Sequence, residues 1–427
     1  MLNRRNFIKS VGAVTAGASI AGGLSGCVSA GGSGSNGHVV IIGGGYGGAT
    51  AAKYLRMWSN RSVKVTLIER ESTFVSCPIS NLVIGGIKDM AYITTSYDNL
   101  RNKWGVNLVQ GEVTGIDVDK REVTLASGEV IGYDRVIMSP GIDFLVDDVP
   151  GLAGNEERIP HAWKAGPQTV ILRKQLEDMP AGGSYVIHIP KAPYRCPPGP
   201  YERACLVADY FKNHKPGSKV IVLDANPDIQ SKKALFTRAF EGQYKDIIEY
   251  RPNSTLVSVD AETRTLELDF SEVQGDVVNV IPPMRAGLIV DHLNVELING
   301  RWVDVNYMTM EAKGAPNVHV IGDAIFPAPT MPKSGHMANQ HAKVAVAAIL
   351  NMLAGQAPSA TPLVMNTCYS FVDQKNVIHV ASVHQYNAEQ ATYLPVEGSG
   401  GVSVAANELE GRYALSWAQN IWADMLA

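Results

Sequence analysis

The chain has 427 residues, 45% of them hydrophobic and 18% charged, with a formal net charge of −4. That length suits two or three domains, each with its own core, and the composition describes a globular chain, neither disordered nor membrane-spanning. The acidic excess also excludes a nucleic-acid binder, which needs a basic face to meet phosphates.

In chain order, the first thirty residues stand apart. Asn3-Arg4-Arg5-Asn6-Phe7-Ile8-Lys9 is a twin-arginine pattern followed by a mild apolar stretch, Val11 to Leu24. Together they read as a Tat export signal over residues 1–30, which places the protein in the periplasm and carries it there already folded. Val28-Ser29-Ala30 resembles a small-x-small cleavage site, and Leu24-Ser25-Gly26-Cys27 resembles a lipobox that would leave Cys27 acylated. Both stay open, with cleavage after Ala30 favoured; membrane contact follows only if Cys27 is acylated. Loss of Arg4, Arg5 and Lys9 leaves 34 basic against 41 acidic residues, a net charge of −7.

Val39 to Ile42 reads as a buried parallel strand that breaks into Gly43-x-Gly45-x-x-Gly48 and runs into a helix of small residues, Ala49 to Met57. Glycines there allow a tight turn, close approach of backbone N–H groups to a pyrophosphate, and packing of helix on strand. The next strand, Val63 to Ile68, ends in Glu69, placed to take ribose hydroxyls. These features predict dinucleotide binding. The following loop, Glu71 to Asn81, carries Cys77 without a neighbouring cysteine, so a local dithiol pair is excluded there.

Residues 105–135 alternate apolar and polar as strands do, with a turn at Ser127-Gly128. Tyr133 to Gly141 is a strand ending in a small-residue turn, and Val149 to Gly166 reads as a linker. A second domain then opens with a helix, Val170 to Met179, and a strand, Ser184 to Pro190. A nicotinamide site would next show a second glycine loop. Instead the sequence is Lys191-Ala-Pro-Tyr-Arg-Cys196-Pro-Pro-Gly-Pro-Tyr-Glu202, and prolines have no N–H to offer a phosphate. Asp224 ends the strand after it, Lys219 to Asp224, as a structural relic or turn former. No NAD(P)H is expected as donor.

From about 276 the chain returns. Asn317 to Ala324 is a strand ending in Gly322-Asp323, and Pro332-Lys333-Ser334-Gly335 starts a helix that continues to Leu353. Its positive end would face a cofactor edge where negative charge builds. His336 and His341, at i, i+5, do not share a helical face; they read as packing or cofactor-edge residues, and no metal is expected. The last segment, 359–427, reads as strands (Tyr369 to Phe371, Val377 to Val383) and an amphipathic helix, Arg412 to Leu426. Its Trp417 and Trp422 read as core packing, and the helix is also a candidate docking surface. Cys205 reads as buried filler on a helix.

Taken together, the Tat start, the glycine loop, Ser-Cys77-Pro-Ile-Ser-Asn, Tyr-Arg-Cys196-Pro-Pro-Gly-Pro-Tyr-Glu202-Arg, Gly322-Asp323, Met331-Pro-Lys-Ser-Gly335, Cys368 and Asn420-Ile-Trp-Ala-Asp424 resemble the flavoprotein subunit of flavocytochrome c sulfide dehydrogenase. That family is related to sulfide:quinone oxidoreductase within the glutathione-reductase-like superfamily. The resemblance implies an α/β fold of two Rossmann-like dinucleotide-binding domains of the glutathione-reductase type plus a C-terminal α+β interface domain. The FAD-binding domain would be 37–144 and 276–358, the second domain, lacking the NAD glycine loop, 145–275, and the flavin-capping domain 359–427. It further implies FAD held by Gly43, Gly45, Gly48, Glu69, Gly322, Asp323, Lys333 and Gly335, with a thioether through Cys77. Cys196 and Cys368 match a redox-active disulfide and Glu202 an acid beside it.

Hydrosulfide is a strong nucleophile and a disulfide its natural electrophile, giving a persulfide and a thiolate. An exported protein can keep such a bond at rest, although pairing cannot be deduced from spacing and a purely structural disulfide stays open. The chain has no Cys-x-x-Cys-His, so a separate c-type cytochrome subunit is implied, in a heterodimer, as electron acceptor. The alternatives are a sulfide:quinone oxidoreductase and a non-enzymatic flavin-carrying assembly factor; the latter predicts that Cys196 and Cys368 lie far apart.

Overall fold

Apolar runs without polar alternation form strands buried on both faces, and that is how the first sheet is built. A computed structural model describes residues 36–427; residues 1–30, expected to be an export signal, and Cys27 among them lie outside the described part. Strand β1 (His38–Ile42) leads through the glycine turn into α1 (Tyr46–Trp58), followed by β2 (Lys64–Glu69), β3 (Asn107–Gln110) and β4 (Arg135–Met138). Val39, Val40, Ile41, Val136, Ile137 and Met138 are all fully buried. The helix starts at Tyr46, three residues earlier than its small residues predict, because Gly45 is already its N-cap.

The chain leaves on β5 (Ile142–Phe144), and residues 149–166 form the expected irregular linker. The second domain contains α2 (Pro167–Asp178), β6 (Ser184–Ile189), α3 (Gly199–His214), β7 (Lys219–Asp224), α4 (Lys233–Glu241), β8 (Ile248–Arg251) and β9 (Val277–Val280). Its parallel sheet has the order β8-β7-β6-β9. This corrects the boundary at 275/276. Val277, Val278, Asn279 and Val280 are buried and complete the second sheet beside β6, so the return begins at β10 (Met284–Ala286), which runs antiparallel to β5.

Returning, β11 (Val305–Asn306), β12 (Glu311–Ala312) and β13 (Val318–Val320) extend the first sheet to the order β11-β12-β13-β4-β1-β2-β3. The helix α5 (Gly335–Leu353) packs on α1; alanines on both helices let the backbones approach. Its N-cap Ser334 accepts from the Met337 amide at 3.0 Å. The C-terminal segment is an antiparallel sheet, β14 (Leu363–Phe371), β15 (Val377–Asn387), β16 (Thr392–Pro395) and β17 (Gly401–Val402), closed by α6 (Glu408–Leu426). Both long strands outrun the stretches expected from sequence, because their antiparallel pairing runs unbroken from Leu363 opposite Gln385 to Phe371 opposite Val377. No helix among the described residues is long and apolar enough to cross a membrane.

Arg203 ties these parts together. Fully buried, it donates to Asn81 Oδ1 (3.0 Å), the His161 carbonyl (2.9 Å), the Ala162 carbonyl (2.6 Å) and Asn279 Oδ1 (2.8 Å). One guanidinium thus pins the Cys77 loop, the linker and β9. Its fixed fork of donors suits such a junction, where lysine would not.

Candidate functional site

The glycine turn is built for close approach. Gly43 has φ +92, and a Cβ there would stand 2.5 Å from the Ser139 carbonyl oxygen. A Cβ on Gly48 would meet the Gly43 carbonyl oxygen at 1.8 Å, whereas one on Gly45 would meet nothing within 4 Å. The first two glycines serve the fold; Gly45 leaves open space over the N-terminus of α1, where an anion is favoured. Beside it Glu69 accepts from the Gly44 amide (2.5 Å) and the Glu71 amide (2.9 Å), which leaves its outer lone pairs for ribose hydroxyls.

After β13, two strands from β1 and at the same end of the sheet, Gly322 (φ +75) turns the chain so that Asp323 is buried, with Oδ1 lacking any partner. Burial raises that carboxyl, Arg195 and Lys333 opposing. An orphaned buried acceptor asks for a donor, and a ribityl hydroxyl supplies one. His341 Nδ1 accepts from the Gly322 amide at 3.4 Å while Nε2 is buried without a partner. His336 Nδ1 accepts from the Thr367 amide at 3.0 Å. Each histidine therefore serves the backbone, as packing residues do. Burial lowers both, His341 to about 3 and His336 to about 4, so both stay neutral. The open glycine, the acid beside it and the orphaned Asp323 fit a flavin dinucleotide.

Two expected cofactor residues act differently. Lys333 donates to the carbonyls of Asp323 (2.9 Å) and Ile325 (2.5 Å), and its ammonium sits 3.6 Å from the centre of the Trp302 ring. It is turned into the protein and braces the turn before α5, its pKa pushed down by burial to about 7. Gly335 begins α5, and a Cβ there would lie 3.0 Å from the Tyr46 ring; it keeps α5 close to the glycine turn.

Cys77 is partly exposed, and its sulfur accepts from the Ala165 amide at 3.4 Å. A hydrogen-bond relay holds its loop: Trp422 Nε1 donates to Tyr46 Oη (3.0 Å), Tyr46 to Ser76 Oγ (2.6 Å), and Ser76 to the Pro78 carbonyl (2.6 Å). Trp422 is buried, which agrees with core packing and removes it as a docking residue.

Cys196 sits at φ +59, a conformation a non-glycine residue adopts only when its surroundings impose it. Its amide donates to the Lys333 carbonyl at 3.0 Å and its carbonyl accepts from the Gly199 amide at 2.9 Å, fixing the Pro-rich loop at the start of α3. Cys368 lies on β14. The two sulfurs are free thiols here, near enough that the charge of Cys368 bears on Cys196: burial pushes Cys196 up, and Cys368 is the next cause. Glu202, one turn into α3, accepts from the Phe371 amide (2.8 Å) and Asn81 Nδ2 (2.9 Å). Burial raises its carboxyl against those two hydrogen bonds, so it stands ready to hold a proton. The structure thus brings Cys196 and Glu202, six residues apart, together with Cys368 from a distant strand. Cys205 is fully buried, as expected of filler.

Three comparisons bear on this geometry. Residues 169–282 match the family described as the central part of the sulfide dehydrogenase (flavocytochrome c) flavoprotein chain, 360–426 its flavin-binding part, and 37–176 the pyridine nucleotide-disulphide oxidoreductases. A sulfide dehydrogenase (flavocytochrome c) flavoprotein chain from Chlorobaculum thiosulfatiphilum is 56% identical over 46 residues, 11% of this chain and 94% of that sequence. The chain belongs to this flavoprotein family. It is an α/β flavoprotein whose cofactor is FAD.

Mitochondrial sulfide:quinone oxidoreductase from Mus musculus is 24% identical over 306 residues, 67% of this flavoprotein but only 65% of the relative's own length. The sulfide:quinone oxidoreductase structure from Aquifex aeolicus superposes with a TM-score of 0.74 at 18% identity, covering 91% of both chains. At that identity the likeness speaks for the fold.

Sequence reasoning missed two residues of the site. Lys232 donates to the Cys368 carbonyl (2.9 Å), Ser370 Oγ (2.7 Å) and the Ile378 carbonyl (3.3 Å), and Asn366 Nδ2 reaches Cys368 Sγ at 3.2 Å. Asn366 stands two residues before Cys368 on one strand face, a period-2 signal that was legible. Lys232, in Gln230-Ser-Lys-Lys, carried none.

Proposed function

We propose that this flavoprotein oxidises hydrosulfide to zero-valent sulfur or polysulfide in the periplasm, using a disulfide between Cys196 and Cys368, and passes the electrons to a c-type cytochrome subunit. The observation that carries this reading is the meeting of Cys196, Cys368 and Glu202 in one partly buried cluster; a flavin-carrying assembly factor has no use for it.

In this reading the hydrosulfide sulfur bonds to one sulfur of the pair, the S–S bond breaks, and the electron pair of that bond stays on the other sulfur as thiolate. Glu202 lies beside both sulfurs and holds the proton released from the incoming SH or required by the returning thiol. Asn81 and the Phe371 amide keep its carboxyl aimed. Trp163, whose indole donates to the Arg195 carbonyl at 3.0 Å, packs against Gly199 beside the Cys196 sulfur and limits water there. Bound flavin supplies a two-electron acceptor for the sulfur pair that can release electrons singly to a haem partner. Cys77, held by the Tyr46–Ser76 relay, is the residue that would tether it by a thioether.

Anaerobic hydrosulfide is expected to bleach the flavin of the wild type, and Cys196→Ser or Cys368→Ser to lose at least about a thousandfold of that rate, as removal of a covalent nucleophile or electrophile does. Unchanged bleaching in either variant would refute the sulfur-pair route. Denaturing gels test the tether: flavin fluorescence that stays with the polypeptide and disappears in Cys77→Ala supports it. A quinone acceptor is the second reading, favoured by the quinone-reducing relatives; equal turnover with a soluble quinone and with cytochrome c would support it.

A further inference from the structure

Lys232 is a buried cation in an unusual setting. It lies at φ +55, the left-handed region, at the N-cap of α4, a strain that surroundings must impose. Its ammonium is held by two carbonyls and one hydroxyl across the paired strands β14 and β15, all neutral acceptors. Among the described residues no carboxylate comes within ion-pair distance of it. A charge taken out of water needs a counter-charge or is costly. The titratable groups that face it are Cys368, Glu202, Cys196 and Glu410, in that order of influence. Of these Glu202 is held toward its neutral form by burial. Glu410 is already engaged by Ser403 and His379. The sulfurs remain.

We propose that Lys232 is an electrostatic positioning residue for the sulfur pair, supplying the positive charge that holds Cys368 as the thiolate when its bond to Cys196 opens. The inference rests on the sulfide-oxidising reading for its place in a reaction. In balanced form, HS⁻ bonds to Cys196 Sγ, the Cys196–Cys368 bond breaks, Cys196 carries the sulfane sulfur as a persulfide, and the electron pair remains on Cys368. The direction follows from the asymmetry of the site. Lys232 is bonded to the carbonyl of Cys368 itself, and Asn366 Nδ2 points at its sulfur at 3.2 Å; Cys196 has neither. Burial pushes Cys368 up and Lys232 is the first cause pulling it down, whereas for Cys196 the lysine ranks behind burial, Cys368 and Glu202.

The test uses the full flavin-loaded chain reduced with a phosphine. The rate at which iodoacetamide alkylates Cys368 is followed against pH, with the modified peptide quantified by mass spectrometry. Lys232→Gln and Lys232→Met are each expected to move the midpoint of this profile upward by about one pH unit, a tenfold slower alkylation below it, while Lys232→Arg leaves it in place. A folded neutral variant with the wild-type profile, or an arginine variant displaced as far as the neutral ones, overturns the proposal. So does loss of folding in both neutral variants, since the lysine is then a structural brace. The readout involves no sulfide. A protein whose flavin hydrosulfide fails to bleach would therefore refute the proposed reaction while leaving the Lys232 result standing on its own.

Discussion

Glu202 shows how a single carboxyl acquires a task from its surroundings. It is half-buried, meets two donors and bears on two sulfurs, and loss of hydration dominates, raising its pKa above that of the unfolded chain. The stability this neutral acid contributes is complete below the ordinary carboxylate range and is lost as pH rises through the raised value. Glu202→Gln cannot ionise. The stability gap between wild type and this variant, measured by urea unfolding at pH 5 and pH 8, is therefore expected to narrow or reverse at the higher pH; a gap independent of pH would show that the carboxyl titrates normally. The same variant is expected to slow hydrosulfide-driven bleaching by about a hundredfold, the ordinary worth of a positioned proton carrier. This role was legible only as a distance in sequence from Cys196. Its partners, Asn81 after the Cys77 loop and Phe371 at the end of β14, are distant in sequence and only the fold brings them near.

At the scale of elements, the strand, turn and helix around Gly43 to Gly48 were readable because three physical demands fall on three glycines. The structure separates them. Gly48→Ala drives a Cβ into the Gly43 carbonyl and is expected to cost about 3 kcal/mol, the upper end for overpacked sites, seen as a lower denaturation midpoint. Gly45→Ala meets no protein atom, so the apoprotein should fold normally yet hold FAD at least about tenfold more weakly, a loss of roughly 1.4 kcal/mol. Equal thermal stability loss in both would contradict the division. The boundary at 275/276 was misplaced because a short apolar run, Val277 to Val280, fits either sheet, and only pairing with β6 assigns it. Lys333 was misread for a related reason. A basic residue before a helix suggests a phosphate or flavin contact, and nothing in sequence reveals that Trp302 lies underneath it.

On the scale of the whole molecule, the second domain keeps a parallel-sheet topology while its own side chains engage the acid that ends β7. Asp224 is fully buried; its Oδ2 accepts from Tyr201 (2.7 Å) and Tyr250 (2.9 Å), and its Oδ1 from the Asn226 amide (2.9 Å) and side chain (2.8 Å). No lone pair is left for a ribose, and prolines replace the phosphate-binding amides. NADH and NADPH are expected to leave the flavin oxidised under anaerobic conditions in which hydrosulfide bleaches it; bleaching by either would show that the site is still open. The expectation of no pyridine nucleotide rested on the missing glycines in the sequence; the two tyrosines that engage Asp224 carried no sequence signal.

The relay from Trp422 through Tyr46 and Ser76 to Pro78 has a consequence for biosynthesis. Helix α6 supplies the first donor in that relay, and the Ala427 carbonyl accepts from Trp104 at 3.0 Å. The nucleotide-binding loop is thus completed by a side chain 376 positions further along the chain. Cofactor capture therefore waits until the helix carrying Trp422 has docked, and a chain cut before that helix would never colour yellow.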